Sequence, residues 1–188
     1  MTAPPIPVHL AHRLTVGGRA VPWVSLETDR GHHLGQVDDA KRARAIIDRR
    51  CQICGEPLNP ARYVLFGRET DRTRGYVVEP AMHPECAAYT AKACPMLAGD
   101  LDHYRRTPLD VSDRTSPDGY PLAPAPDNGH RAGKPSEPYL QVWADGSDYR
   151  AGLCDEGVVL AWPARPLRVR LIATGPDRAA LDLMKGTS

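Results

Sequence analysis

Two short ligand pairs constrain this chain more than anything else in it: Cys51-x-x-Cys54 and, further on, His83-x-x-Cys86. Zinc binds thiolate and imidazole tetrahedrally at roughly 2.0–2.3 Å, so four such groups serve one ion only where the chain converges within a few ångströms. Cys51-x-x-Cys54-Gly55 has the spacing of a tight knuckle, in which backbone amides point at the sulfurs and glycine relieves the turn; Leu58-Asn59-Pro60 follows as a second turn. His83-Pro84-Glu85-Cys86 opens a helix, because proline is favoured at the first helical position and the AAYTAKA stretch behind it has high helical propensity. His83 and Cys86 then lie one turn apart on one face, and the positive end of the helix favours the Cys86 thiolate. Four protein ligands close the coordination shell and leave no position for substrate or activated water. The expectation is therefore one structural Zn2+ per chain, held by Cys51, Cys54, His83 and Cys86, with no catalytic residue assigned.

The other cysteines stand apart from this set. Cys94 follows Cys86 by two helical turns, about 12 Å along the axis and beyond the reach of one ion, so it is expected to be buried packing, and Cys154 likewise. Five cysteines, an odd number with two in a C-x-x-C, fit metal binding in a reducing compartment better than a disulfide framework. A metal also suits the composition. One Phe, 19 prolines and 16 glycines in 188 residues leave little apolar surface to bury per residue, and small cores of that kind often need a staple.

The rest of the chain reads as α+β. Short apolar stretches between Val8 and Leu26, separated by Gly17-Gly18, suggest an N-terminal β-hairpin. Asp38 to Arg50 has an N-capping aspartate, apolar residues at helical spacing and arginines in its last turn, and should be a helix leading into Cys51. Tyr63–Phe66 and Tyr76–Val78 are β-prone runs around a polar loop, hence a second hairpin between the ligand pairs. Residues 107–138 hold seven prolines and three glycines and read as a linker or extended arm. Beyond it, Tyr139–Trp143, Val158–Trp162 and Leu167–Ala173 suggest a small antiparallel sheet followed by a helix from Asp177 to Met184. Three parts result: 1–106, a hairpin plus zinc module; 107–138, the Pro-rich arm; and 139–188, a small β-rich module.

Knuckle, hairpin and ligand-bearing helix, in that order, resemble the treble-clef zinc fingers across residues 51–94. The stretch HPECAAYTAKACP also resembles uncharacterised zinc-binding proteins of actinobacteria and actinophages. The first resemblance implies a structural zinc; the second carries no function with it. Treble clefs also include HNH-type nucleases, but those need a histidine base on the hairpin, and residues 63–79 contain none. A degenerate nuclease, or another enzyme with an unseen site, is thus the rival reading.

The formal net charge is +1, which argues against wholesale attraction to nucleic acid. Between Lys41 and Arg74, however, nine basic residues face four acidic ones. Arg42, Arg44, Arg72 and Arg74 could track phosphates, with Tyr63, Phe66 and Tyr76 for stacking; Arg49, Arg50 or Arg62 could donate to the zinc sulfurs. The expected role is therefore binding of DNA, RNA or a protein partner. The remaining alternative is a structural component of a larger assembly that uses the Pro-rich arm as a contact segment. His9-x-x-His12 and His32-His33 lack companion ligands and read as ordinary surface or core histidines. No run of about 18 apolar residues and no secretory leader is seen, so a cytoplasmic protein without membrane contact is expected.

Overall fold

The computed structural model describes residues 3–107, 110–111, 113–122 and 132–172. Within them the protein is a mixed helix-and-sheet fold built from small antiparallel sheets. Among the described residues no helix is long and apolar enough to cross a membrane.

The N-terminal hairpin forms around Gly17-Gly18, but its strands β1 (Thr15–Val16) and β2 (Arg19–Ala20) have two residues each, and Val8–Leu10 is a 3-10 turn instead of a strand. Two long-range bonds dock this hairpin on the ligand helix: the Tyr89 hydroxyl accepts from the Ala20 amide at 2.9 Å, and Arg19 Nε donates to the Ala93 carbonyl at 3.0 Å. A separate hairpin, β3 (Ser25–Thr28) with β4 (Gly31–Val37), follows and takes in both His32 and His33.

Helix α1 (Asp39–Ile47) begins where the capping logic placed it, with the Asp38 side chain accepting from the Lys41 amide at 2.9 Å. It buries Ala45 and Ile46 and ends three residues short of Arg50, because Arg49 turns left-handed at φ 52° and redirects the chain into the knuckle.

The hairpin expected between the ligand pairs does not form. Strand β5 (Arg62–Gly67) pairs with β7 (Tyr139–Asp145), Tyr63 opposite Ala144 and Leu65 opposite Val142, while β6 (Tyr76–Val77) pairs with β9 (Gly157–Ala161) in another sheet. Between them residues Glu69–Arg74 fold as helix α2, because the Asp71 carboxylate accepts from the Arg68 amide at 2.8 Å and Gly75 closes the helix at φ 84°. β5 finds in β7 a ladder along its whole length, Arg62 to Gly67 opposite Asp145 to Leu140, which a two-residue neighbour such as β6 could not supply.

The expected C-terminal sheet is likewise redistributed. β10 (Arg168–Ile172) and β5 flank β7, whereas β8 (Ala151–Cys154), β9 and β6 make the second three-stranded sheet. A turn at Asp155-Glu156 closes the β8–β9 hairpin with Cys154 opposite Gly157. Strands of 139–172 thus hydrogen-bond to both strands that lie between the two ligand pairs in sequence. The terminal helix expected from Asp177 to Met184 lies outside the described residues. Within 107–138 the described residues are more than a bare tether: the Tyr104 amide donates to Lys134 and the Ser136 amide to Asp102, while the Asp29 amide donates to the Thr115 carbonyl.

Candidate metal centre

Cys51, Cys54, His83 and Cys86 converge, and one ligand atom from each lies within 4.8 Å of all the others. Around a single zinc, sulfurs bonded at about 2.3 Å stand roughly 3.8 Å apart, so the cluster needs only a slight contraction to fit a tetrahedron. The four residues lie close enough to hold one metal ion.

Local backbone geometry explains the convergence. Arg50 and Pro57 form an antiparallel bridge, the Cys51 amide donates to Glu56, and the Gly55 amide returns to the Cys51 carbonyl at 2.9 Å, which closes the knuckle. Gly55 sits at φ 83°, and a Cβ there would stand 2.6 Å from the Trp23 ring, so this position must be glycine for two reasons. Neighbouring segments clamp the knuckle on both sides: Trp23 donates to the Ile53 carbonyl, Val24 to Gln52, and the Gln52 side chain donates to the Pro80 carbonyl at 2.6 Å. That last bond ties the knuckle to the stretch entering the ligand helix α3 (Pro84–Ala93).

His83 is the N-cap residue of α3, with Pro84 at the first helical position as expected. Its Nε2 faces the Pro57 carbonyl at 2.9 Å, and a carbonyl can only accept, so the proton belongs on Nε2. Nδ1 then carries the lone pair available to a metal, and it lies 3.4 Å from Cys54 Sγ. Carbonyl partners of this kind fix ring orientation and raise ligand basicity at metal sites.

Electrostatics within the cluster point the same way. Hydrogen bonds from the Cys54 and Cys86 thiols hold Cys51 far below the ordinary thiol range, while the same interactions push Cys86 well above it. His83 is pushed up to about 11, first by its hydrogen bonds to Cys51 and Cys54. Hydrogen bonding to the other sulfurs and burial both disfavour a thiolate at Cys86, so three thiolates at once call for a cation in their midst. Cys51, Cys54 and Cys86 are all buried, which strengthens that demand.

Sequence spacing missed one group. His9, from the 3-10 turn at the start of the chain, places Nε2 3.5 Å from Cys86 Sγ. It was read as an ordinary surface or core histidine; the structure instead sets it against a ligand sulfur. No spacing rule reveals it, because 77 positions separate the two residues. Arg49, Arg50 and Arg62 were the expected sulfur donors, and the first two point elsewhere: Arg49 to the Gly146 carbonyl at 2.6 Å and over the Tyr149 ring, Arg50 to the Gly55 carbonyl at 2.9 Å. Among the described residues the side-chain partners of the Cys54 and Cys86 sulfurs are His83 and His9, not Arg62. Cys94 and Cys154 stand outside the cluster, as expected. Replacing His9 with alanine is expected to weaken zinc binding about tenfold with the fold intact, since a donor to a ligand sulfur is lost from an exposed turn. Competition against a chromophoric chelator measures this; an unchanged affinity would reduce His9 to a bystander.

Of the arginines proposed for phosphate contact, Arg42 and Arg74 are drawn into internal contacts that meet at Glu156, Arg42 donating to its carbonyl at 3.5 Å and Arg74 to its carboxylate at 2.6 Å. Arg42 donates to the Val158 carbonyl at 2.8 Å and the Val78 carbonyl at 3.2 Å, and pairs with Asp39. Arg74 bridges Asp71 and Glu156 and stacks on Tyr76. Arg44 and Arg72 remain 67% and 60% exposed, paired with Asp48 and Glu69. Tyr63 and Phe66, expected to stack on bases, are buried, Tyr63 packing edge-on against Tyr149 at 5.2 Å.

Fold and site together define a mixed helix-and-sheet protein carrying a Cys3His cluster able to hold a metal ion. Comparison with protein-family models, with curated proteins and with solved structures finds no match to the chain in any of the three.

Proposed function

We propose that the cluster holds one Zn2+ in a structural role and that the protein is a binding module organised around that ion, without catalysis of its own. The observation that carries this reading is the closed donor set: three buried sulfurs and an imidazole whose orientation is held by the Pro57 carbonyl. Three thiolates and a neutral histidine around Zn2+ leave a net charge of −1 and no open position for a substrate, whereas catalytic zinc keeps one. The donor set is soft, which selects zinc over calcium or magnesium. A treble-clef likeness in this reading rests on the knuckle and the ligand helix alone. Zinc content and near-ultraviolet circular dichroism before and after chelation test it; protein that is metal-free as isolated and unchanged by chelator would overturn it.

For the partner, a protein suits the module better than nucleic acid. Phosphate tracking needs arginines free to leave their present partners, and Arg42 and Arg74 are each held by several internal contacts. Nucleic-acid affinity, if present, should therefore be weak, and it should fall steeply with salt as counterions are released. Pull-downs with and without nuclease distinguish the two: a partner that disappears on nuclease treatment would restore DNA or RNA as the ligand.

A further inference from the structure

We propose that the outer edge of β10 docks an extended peptide segment of a partner protein whose residues alternate between acidic and apolar, added as a fourth strand beside β10, β7 and β5. This deepens the partner-binding reading and rests on it; the zinc site plays no part in the argument.

Strand β10 lies at the end of its sheet, with Val169 opposite Val142 and Leu171 opposite Leu140 on its inner side. Among the described residues nothing hydrogen-bonds to its other side, so a row of backbone donors and acceptors faces outward. Such an edge is a template for another strand, and proteins usually protect it. Here it carries apolar side chains in the open: Leu167, Val169 and Leu171 are 57%, 46% and 59% exposed. Alternating with them are Arg168 and Arg170, also exposed, and among the described residues no carboxylate pairs with either.

That alternation selects the occupant. Residues directly opposite in an antiparallel pair share a face, so a docked strand must place apolar residues beside Val169 and Leu171 and anions beside the arginines. A second copy of β10 fails this test, because the strand Arg168–Ile172 holds no carboxylate to set beside either arginine in any register. Pairing two copies about Val169 sets Arg168 against Arg170 twice, and pairing them about either arginine sets that residue against itself. Shifting the register by one residue puts arginines on the apolar face. Like charges directly opposite destabilise such pairs, so the edge discriminates against its own copy and favours an acidic strand.

The test uses the full chain, loaded with zinc, and two short capped synthetic peptides, one alternating valine with glutamate and the other valine with lysine, with binding read by fluorescence anisotropy at low salt. The glutamate peptide should bind at least about tenfold more tightly than the lysine peptide. In the R168E/R170E double variant the preference should reverse, a gain of lysine-peptide binding that misfolding cannot imitate. Zinc content, measured in parallel, should be unaffected and reports separately on the metal reading. Absence of glutamate-peptide binding to the wild-type chain, or an unchanged preference in the double variant, overturns the proposal. So does a solution dimer whose amide protection maps to residues 168–172, which would give the edge to a second copy.

Discussion

Replacing Cys51 or Cys86 with serine is expected to abolish stoichiometric zinc binding and to unfold residues 51–94, whereas Cys94→Ala and Cys154→Ala should keep about one zinc per chain. Both ligands are buried in the main apolar cluster, and both sit where distant segments meet. Knuckle, Trp23 loop and helix α3 are held to one another by a few backbone bonds around the sulfurs. Structural zinc contributes on the order of 10–16 kcal/mol of apparent binding free energy at neutral pH, which is coupled to folding and exceeds the stability of most small domains. Acidification should act in the same direction, since protons compete with the metal for thiolate and imidazole. Metal analysis, together with the visible absorption of a cobalt-substituted sample, reads the outcome. Equal metal loss in all four variants would sink the ligand assignment, and full retention in C51S or C86S would do so as well.

The second large effect lies away from the metal. Gly146→Ala is expected to cost about 3 kcal/mol and to lower the thermal midpoint by roughly 6–12 °C with zinc retained. A Cβ at Gly146 would stand 1.8 Å from the Pro60 carbonyl oxygen and 2.6 Å from its carbon, and these are backbone atoms that cannot swing aside. Retreat is blocked as well, because the Gly146 amide donates to Ala61 at 3.0 Å and its carbonyl accepts from Arg49 at 2.6 Å. Gly152→Ala is the control: its Cβ would meet only Val159 at 3.7 Å, an ordinary contact, and should change little. If thermal scans of the zinc-loaded variants gave equal midpoints, the close approach of β7 to the knuckle exit would not be the constraint described.

What could be read from the residues alone was local. The spacing within each ligand pair, the cap at Asp38 and the proline opening α3 each depend on residues within a few positions along the chain. There a residue's own backbone preferences decide the geometry. The turn at Gly17-Gly18 was legible for the same reason. Which strands pair was not legible. Tyr63–Phe66 and Tyr76–Val77 look like hairpin partners because they are neighbours in sequence, yet β5 joins β7 and β6 joins β9. Strand partners are chosen by the length of ladder and the cross-strand packing a pairing provides, and that choice is made among segments brought together only by the folded chain. The same holds for His9, which meets Cys86 from 77 positions away, and for the arginines, where a basic window in one dimension becomes internal contacts with carbonyls and carboxylates in three. The ligand set was fixed by short-range spacing, but its surroundings were set by tertiary contacts, since an imidazole or guanidinium finds its partner by distance in space and spacing along the chain carries no record of it.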